Sequence, residues 1–447
     1  MRISIFSLFL FPILLANSEF CEGKVTVLSA PANSLYTRID PDGTTIIPNG
    51  RFVRPLGKTV RVAPHPFGLE LSRDGNTAIT ANSGVDPLSI SIIRNLQSDQ
   101  PEIEQIPPGP TTDEGVLASV FMGLAIADDN KTVYVAAGQE NAIAIMDIEA
   151  GTRTGSISCA DPDHPDGYIG DLVLSKDGKL IYAVDQTNFR VVIADTESHA
   201  VVESVPVGRY PFGIALSPDE KKVYVANVGM FEYKKIPGVD ENNMVHSGLE
   251  FPPFGYNSKE MREGTRVGEY DVPGLGDPNV PESFSVWTID LTSSPSKVIA
   301  KIKTGHLVGD LIEGIPAVGG SSPNSVVATQ DYVFVSNGNN DSISVIDLAN
   351  NELLQEVYLK PHPAIKQFRG VIPFGVAASP DGKRLFVAES GINAIGVIDI
   401  PTLSVIGHLP VGWFPSKLKV TGDGKQLVVS NAKGFGSGPN GGSTFQR

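Results

Sequence analysis

Ser379-Pro-Asp-Gly-Lys-Arg-Leu-Phe-Val-Ala-Glu-Ser-Gly-Ile-Asn-Ala-Ile-Gly-Val-Ile-Asp399 holds an Asp-Gly turn and two apolar runs after it, the second ending in Asp, and a further apolar run, Phe374-Gly-Val-Ala-Ala378, leads into the turn. Asp-Gly between apolar runs is a strong hairpin signal. Nearly the same phrase stands at Ser217-Pro-Asp-Glu-Lys-Lys-Val-Tyr-Val-Ala-Asn227, and related copies are centred on Asp74, Asp129, Asp177, Asp331 and Asp423. Successive turn aspartates lie 55, 48, 42, 112, 50 and 42 positions apart. A unit of that length with several strands predicts propeller blades, because a lone four-stranded sheet cannot bury both of its faces and a ring of sheets can.

Within the sixth copy the pattern predicts an innermost strand at 374–379, a second at 384–388, a third at 394–399 and an outermost strand at 405–411. The seventh copy supplies strands near 414–420 and 426–430, then breaks into Gly434-Phe-Gly-Ser-Gly-Pro439. Two spare candidates, 44–47 and 58–62, precede the first copy and are expected to complete the last blade, which would remove the exposed edges of an open ring. The reading is an all-β, seven-bladed β-propeller of four-stranded blades closed by N-terminal strands, at about 46 residues per blade. The long interval places an insertion at residues 230–283, between the second and third strands of the fourth blade. It carries Phe251-Pro-Pro-Phe-Gly-Tyr256, loop chemistry with aromatics. Long loops in compact folds are functional or act as lids.

Arg2 precedes an apolar run over 3–16, and Ala16-Asn17-Ser18 offers small residues for a peptidase. The run is too short to cross a bilayer, so residues 1–18 read as an export signal and the chain as secreted or periplasmic and not membrane-spanning. Residues 19–433 are then the propeller and 434–447 a Gly-rich tail. Cys21 and Cys159 are the only cysteines, too few for a disulfide scaffold, and no Cys-x-x-Cys-His is present for a c-type haem. A formal charge of −15 gives no basic face for phosphate backbones, so no nucleic-acid partner is expected.

Four histidines, His65, His164, His306 and His362, lie in segments that lead into innermost strands, which in a propeller gather at one end of the channel. If their rings converged they could hold a divalent metal, Zn, Cu or Ca. The bland reading is that His-Pro is a turn dipeptide. Asn82, Asp185, Asn227, Asn337, Glu389 and Asn431 end the second strands and are expected at the same end, either lining a ligand funnel or satisfying strand ends. Asp161, Asp163, His164 and Asp166 form an acidic cluster beside Cys159 that suits calcium or a solvated loop. No nucleophile-elbow, phosphate-loop or zinc-protease motif occurs.

Lys222-Val-Tyr-Val-Ala-Asn227 and Val333-Phe-Val-Ser-Asn337, each followed by a Ser-Ile-Ser-Val-Ile-Asp type of strand, resemble the YVTN-repeat family of seven-bladed propellers. Ile47-Pro-Asn-Gly-Arg51, Gly412-Trp-Phe-Pro415 and the stretch from Asn431 to Asn440 look like the propeller half of exported bacterial proteins in which an alkaline-phosphatase-like phosphoesterase domain follows the ring. Here only residues 434–447 follow. They cannot supply a two-metal site and a nucleophile, so the resemblance carries no phosphoesterase activity to these residues. The leading expectation is a non-catalytic binding or interaction scaffold for a protein or small-molecule ligand. The competing expectations are a metal-assisted hydrolase, lactonase or lyase at the channel mouth, and an accessory to a phosphoesterase.

Overall fold

Five of the seven turn aspartates close their hairpins through one repeated hydrogen-bond pattern. Ser217 Oγ donates to Asp219 Oδ1 at 2.7 Å, and the same oxygen accepts from Lys222 N at 3.0 Å, tying the two ends of the turn together. Ser72 with Asp74, Ser175 with Asp177, Ser379 with Asp381 and Thr421 with Asp423 repeat the pair at 2.5–2.7 Å. These hydrogen bonds hold each of the five carboxyls below the usual range, with the Ser or Thr hydroxyl as the largest cause. The turn aspartates are therefore turn-formers.

The computed structural model describes residues 29–40, 43–84, 88–108, 116–234, 236–239, 258–365 and 369–434. The expected export signal, Cys21, the 251–256 aromatics and all of the tail beyond Gly434 lie outside the described residues. The described chain is all-β apart from the short helix Lys259–Glu263, with six four-stranded antiparallel sheets of consecutive blade order. The blade read first from sequence is Pro373–Ala378, Arg384–Glu389, Ala394–Asp399 and Ser404–Pro410. In the fourth blade Lys222–Asn227 pairs directly with Ser285–Asp290 across the insertion. Among the described residues no helix is long and apolar enough to cross a membrane.

The innermost strands stand side by side in a ring, and Trp413–Val420 packs against both Pro373–Ala378 and Pro66–Leu71. Between blades the second and third strands supply the core, as with Ile143, Ile181, Ala183 and Val192, all fully buried. Each such Ile or Val side chain contributes about 1.5–3 kcal/mol by leaving water. Outermost strands alternate instead, and Ala200–Pro206 shows exposed and half-buried positions in turn.

The last sheet departs from the expectation. Among the described residues it has two strands, Trp413–Val420 and Leu427–Gly434, so they form six four-stranded blades where seven were expected. The N-terminal strands do not complete it. Thr45–Ile46 pairs with Phe52–Val53 in a small sheet of its own, and residues 58–62 form no strand. Among the described residues no third strand stands beside Leu427–Gly434, so 58–62 has no described edge to bond to. The segment is fastened otherwise: Leu56 N donates to Pro410 O at 2.9 Å, Lys58 Nζ donates to Ser98 O at 2.7 Å, and Ala63 N donates to Ser91 Oγ at 3.2 Å.

Candidate functional site

The polar residues that end the second strands are all buried or nearly so, and most bond to the third strand of their own blade. Asn82 Nδ2 donates to Ser89 Oγ at 3.3 Å and Ser91 Oγ at 3.0 Å. Asn337 Nδ2 does the same to Ser342 Oγ at 3.1 Å and Ser344 Oγ at 2.8 Å, and Asn227 Nδ2 reaches Ser285 O at 3.2 Å. Asp185 accepts from Arg190 Nε at 2.9 Å. Glu389 Oε2 meets His408 Nδ1 of the outermost strand at 2.7 Å, and His408 Nε2 meets Lys360 O at 3.0 Å. Burial pushes the Glu389 carboxyl up, and the carboxylate in turn raises His408. Asn431 stands apart. Among the described residues its sheet has no third strand, and its Nδ2 reaches only Val429 O in its own strand, at 3.5 Å.

The four histidines occupy connections between blades, and each ring is engaged with its own neighbours. His65 Nδ1 meets Ser83 Oγ at 2.8 Å, and its ring stacks on Phe67 with centroids 5.3 Å apart. Burial, then the charge of Lys433, lowers its pKa. His306 Nε2 meets Tyr358 Oη at 2.9 Å, and His362 Nδ1 accepts from Ala364 N at 3.1 Å. His164 Nδ1 lies 3.0 Å from Asp161 Oδ1. Among the described residues no group of three or more His, Cys, Asp and Glu is arranged to hold a metal ion.

The acidic cluster near Cys159 is organised by a buried arginine. Arg190 donates from Nη1 to Asp161 Oδ2 at 2.5 Å and from Nη2 to Cys159 O at 2.6 Å, while its Nε holds Asp185. Desolvation raises the Asp161 carboxyl, and the hydrogen bonds from Arg190 and His164 outweigh it, bringing the pKa down to about 2. Cys159 is buried with a free thiol, which burial pushes up to about 12, well outside the range of a reactive thiolate.

The channel also carries an aromatic cluster. Pro66-Phe67, Pro211-Phe212 and Pro373-Phe374 open three innermost strands, and their rings meet near the axis together with Phe121. Phe67 stacks on Phe121 at 4.7 Å and meets Phe374 edge-on at 5.2 Å, and Phe212 meets Phe121 at 5.7 Å. The repeated Pro-Phe pair was the available signal. Along the same channel Lys417 Nζ bonds Asp171 Oδ2 at 3.1 Å, and Lys419 bonds Glu70 at 2.6 Å. Aromatic rings and ion pairs therefore meet within the channel.

Open space lies instead beside the two-stranded sheet. A cavity of about 1290 Å³ is bounded by residues 55–66 on one side and by Gln426–Gly434 on the other. It exceeds the roughly 300–1,000 Å³ of small-ligand pockets. Its floor is apolar, with Val60, Val62, Leu69, Ala78, Ile93 and Val428 in one cluster. In a chain of charge −15, Lys58, Arg61, His65 and Lys433 line it against a single acid, Asp99.

The comparisons with known proteins place the fold. The chain is similar in structure to the solved Kuenenia stuttgartiensis hydrazine synthase, with a TM-score of 0.53 over 84% of this chain and 96% of that one. At 17% identity that likeness speaks for the β-propeller fold alone. No family model matches the sequence, and no curated protein matches it.

Proposed function

We propose that this chain is an exported, non-catalytic binding scaffold, and that its two-stranded sheet marks the seventh position of a YVTN-like propeller ring. The observation that supports this most is the cavity beside Leu427–Gly434, a large apolar groove with a cationic rim on an otherwise acidic molecule. Grooves of that kind take up ligands by burial and charge complementarity and need no reacting group. The ring position follows from Trp413–Val420, which packs between the innermost strands of the sixth and first blades as an innermost strand would. The competing reading, metal-assisted hydrolysis at the channel mouth, needs the four histidine rings to share one ligand, and each is engaged locally instead.

The test is elemental analysis of the purified protein, repeated on His65→Ala and His362→Ala. A metal-free protein whose fold is unchanged in both variants agrees with a scaffold. About one equivalent of Zn, Cu or Ca that is lost in the variants would overturn it in favour of a metal site.

A further inference from the structure

We infer that Glu389 and His408 form a pH-operated latch on the connection between the fifth and sixth blades, closed in acidic and neutral solution and opened by alkali. His408 stands between two acceptors. Its Nδ1 lies 2.7 Å from Glu389 Oε2, and its Nε2 lies 3.0 Å from the carbonyl oxygen of Lys360. A carbonyl oxygen only accepts, so Nε2 carries a proton, and Nδ1 then shares a second proton with the Glu389 carboxyl. A neutral imidazole has one N–H to give. Both contacts therefore stand only while the pair keeps that second proton. The latch is independent of what the groove takes up.

The sixth blade is altered to hold this pair. At the matching place in the fifth blade Asn337 Nδ2 and Ser342 Oγ both donate to Glu356 Oε2, at 3.1 and 2.7 Å, and the acid belongs to the outermost strand. In the sixth blade the acid has moved inward. Glu389 takes the place of Asn337, His408 that of Glu356, and Ala394 and Gly396 stand where Ser342 and Ser344 would. The exchange removes two hydroxyl donors and makes room for the carboxyl, since a Cβ on Gly396 would lie 2.6 Å from Glu389 Oε1. Glu389 is fully buried, and its Oε1 has no hydrogen-bond partner among the described residues.

Loss of the second proton leaves two arrangements. If Nε2 keeps the remaining proton, the bare Nδ1 faces a buried carboxylate, which strands that charge without a partner. If Nδ1 keeps it, the bare Nε2 faces Lys360 O, at a half-buried residue that can turn its carbonyl to water. The second arrangement costs less, so the break falls at Lys360. The hydrogen bond to Glu389 holds His408 above its ordinary value, against burial, so the latch is complete below pH 6.5 and is lost as pH rises through the folded pKa. Burial raises Glu389, and the charge of Asp341 from the fifth blade adds to that rise. Opposite His408 the third strand presents Gly396, without charge. On the connection itself Lys360 Nζ bonds Glu313 Oε1 at 3.2 Å, and Arg369 meets the same carboxylate at 3.2 Å. Asp341 also accepts from Gly370 N at 2.8 Å and Ile372 N at 2.9 Å, which fastens the far end of the connection separately. Alkali thus frees the near end, residues 359–365.

The test is hydrogen–deuterium exchange of the purified protein from pH 6.5 into alkaline solution, corrected for the intrinsic pH dependence of exchange. Leu359 N, which donates to Asp341 O at 2.8 Å, and Ile365 N, which donates to His362 O at 3.0 Å, report on the near end. The expected result is a single titration step above pH 6.5 in which protection of residues 359–365 falls about fivefold, while residues 370–372 and Leu180–Asp185 of the third blade keep theirs. Glu389→Gln is expected to move the step to lower pH, and His408→Gln to remove it. A flat profile in the unaltered protein overturns the proposal, and decides it even where a variant does not fold. So does a step that persists in His408→Gln or is unmoved in Glu389→Gln, which assigns the titration to another group. An equal fall in Leu180–Asp185 overturns it as well, because the whole ring is then loosening instead of one connection.

Discussion

Lys417 Nζ lies 3.1 Å from Asp171 Oδ2, although 246 positions separate the two residues and their innermost strands are not neighbours in the ring. The pair therefore spans the channel and ties the last sheet to the third blade. Burial raises the Asp171 carboxyl, and Lys417 opposes that rise.

Removing the cation leaves a buried carboxylate without its partner. Lys417→Met is expected to cost about 3–5 kcal/mol in urea unfolding at neutral pH, and adding Asp171→Asn is expected to recover most of that loss. The raised carboxyl makes the folded state the better proton binder, so the loss in Lys417→Met shrinks as pH falls toward the Asp171 pKa. Equal losses at acidic and neutral pH would speak against the ion pair.

The Glu389–His408 pair gives a second pH signature. His408 is raised above 6.5 by the Glu389 carboxylate, with burial opposing, so its contribution is complete below that value and fades as pH rises through the folded pKa. Glu389, raised from 4.5 by burial, acts in the same direction from that value upward. The melting temperature is expected to fall between pH 6.5 and more alkaline solution, and His408→Gln is expected to flatten that slope. An unchanged slope in the variant would show that other groups carry the dependence.

The turn clamp at Ser217 works through a buried hydroxyl. Ser217→Ala removes both the donor to Asp219 and the acceptor for Lys222 N, and is expected to destabilise by about 1–2 kcal/mol in chemical denaturation. A change within error would make the clamp dispensable.

The aromatic cluster predicts that the channel depends on packing. Phe67→Ala is expected to cost about 3–5 kcal/mol, since Phe67 is nearly buried and meets both Phe121 and Phe374. A loss below about 1 kcal/mol would indicate rings that do not support one another.

Cys159 is expected to resist iodoacetamide in the folded protein and to label once urea unfolds it, because the thiol is buried and its pKa is high. Peptide mapping reads the two states. Labelling of Cys159 without denaturant would contradict its placement.

Much of the ring was legible because its signals are local and periodic: Asp219 and Asp381 each sit two residues after a Ser and just before a strand that could be nothing else. The last sheet was not, because Lys58-Thr-Val-Arg-Val62 alternates like a strand, and alternation says nothing about whether an edge is available to pair with. The histidines lie in connections between blades, and a sequence does not show that His65 faces Ser83 and His306 faces Tyr358. The Lys417–Asp171 pair joins residues whose meeting depends on ring closure, so no local pattern could announce it.

The most direct test of the groove is hydrogen–deuterium exchange across Leu427–Gly434 in the protein alone, with Arg384–Glu389 as the internal reference. Among the described residues Arg384–Glu389 is paired on both sides and Leu427–Gly434 on one. Fast exchange of the outward-facing half of the Leu427–Gly434 amides, beside slow exchange throughout Arg384–Glu389, is the expected result. Equal protection of the two strands would contradict the open edge and with it the groove as a binding surface.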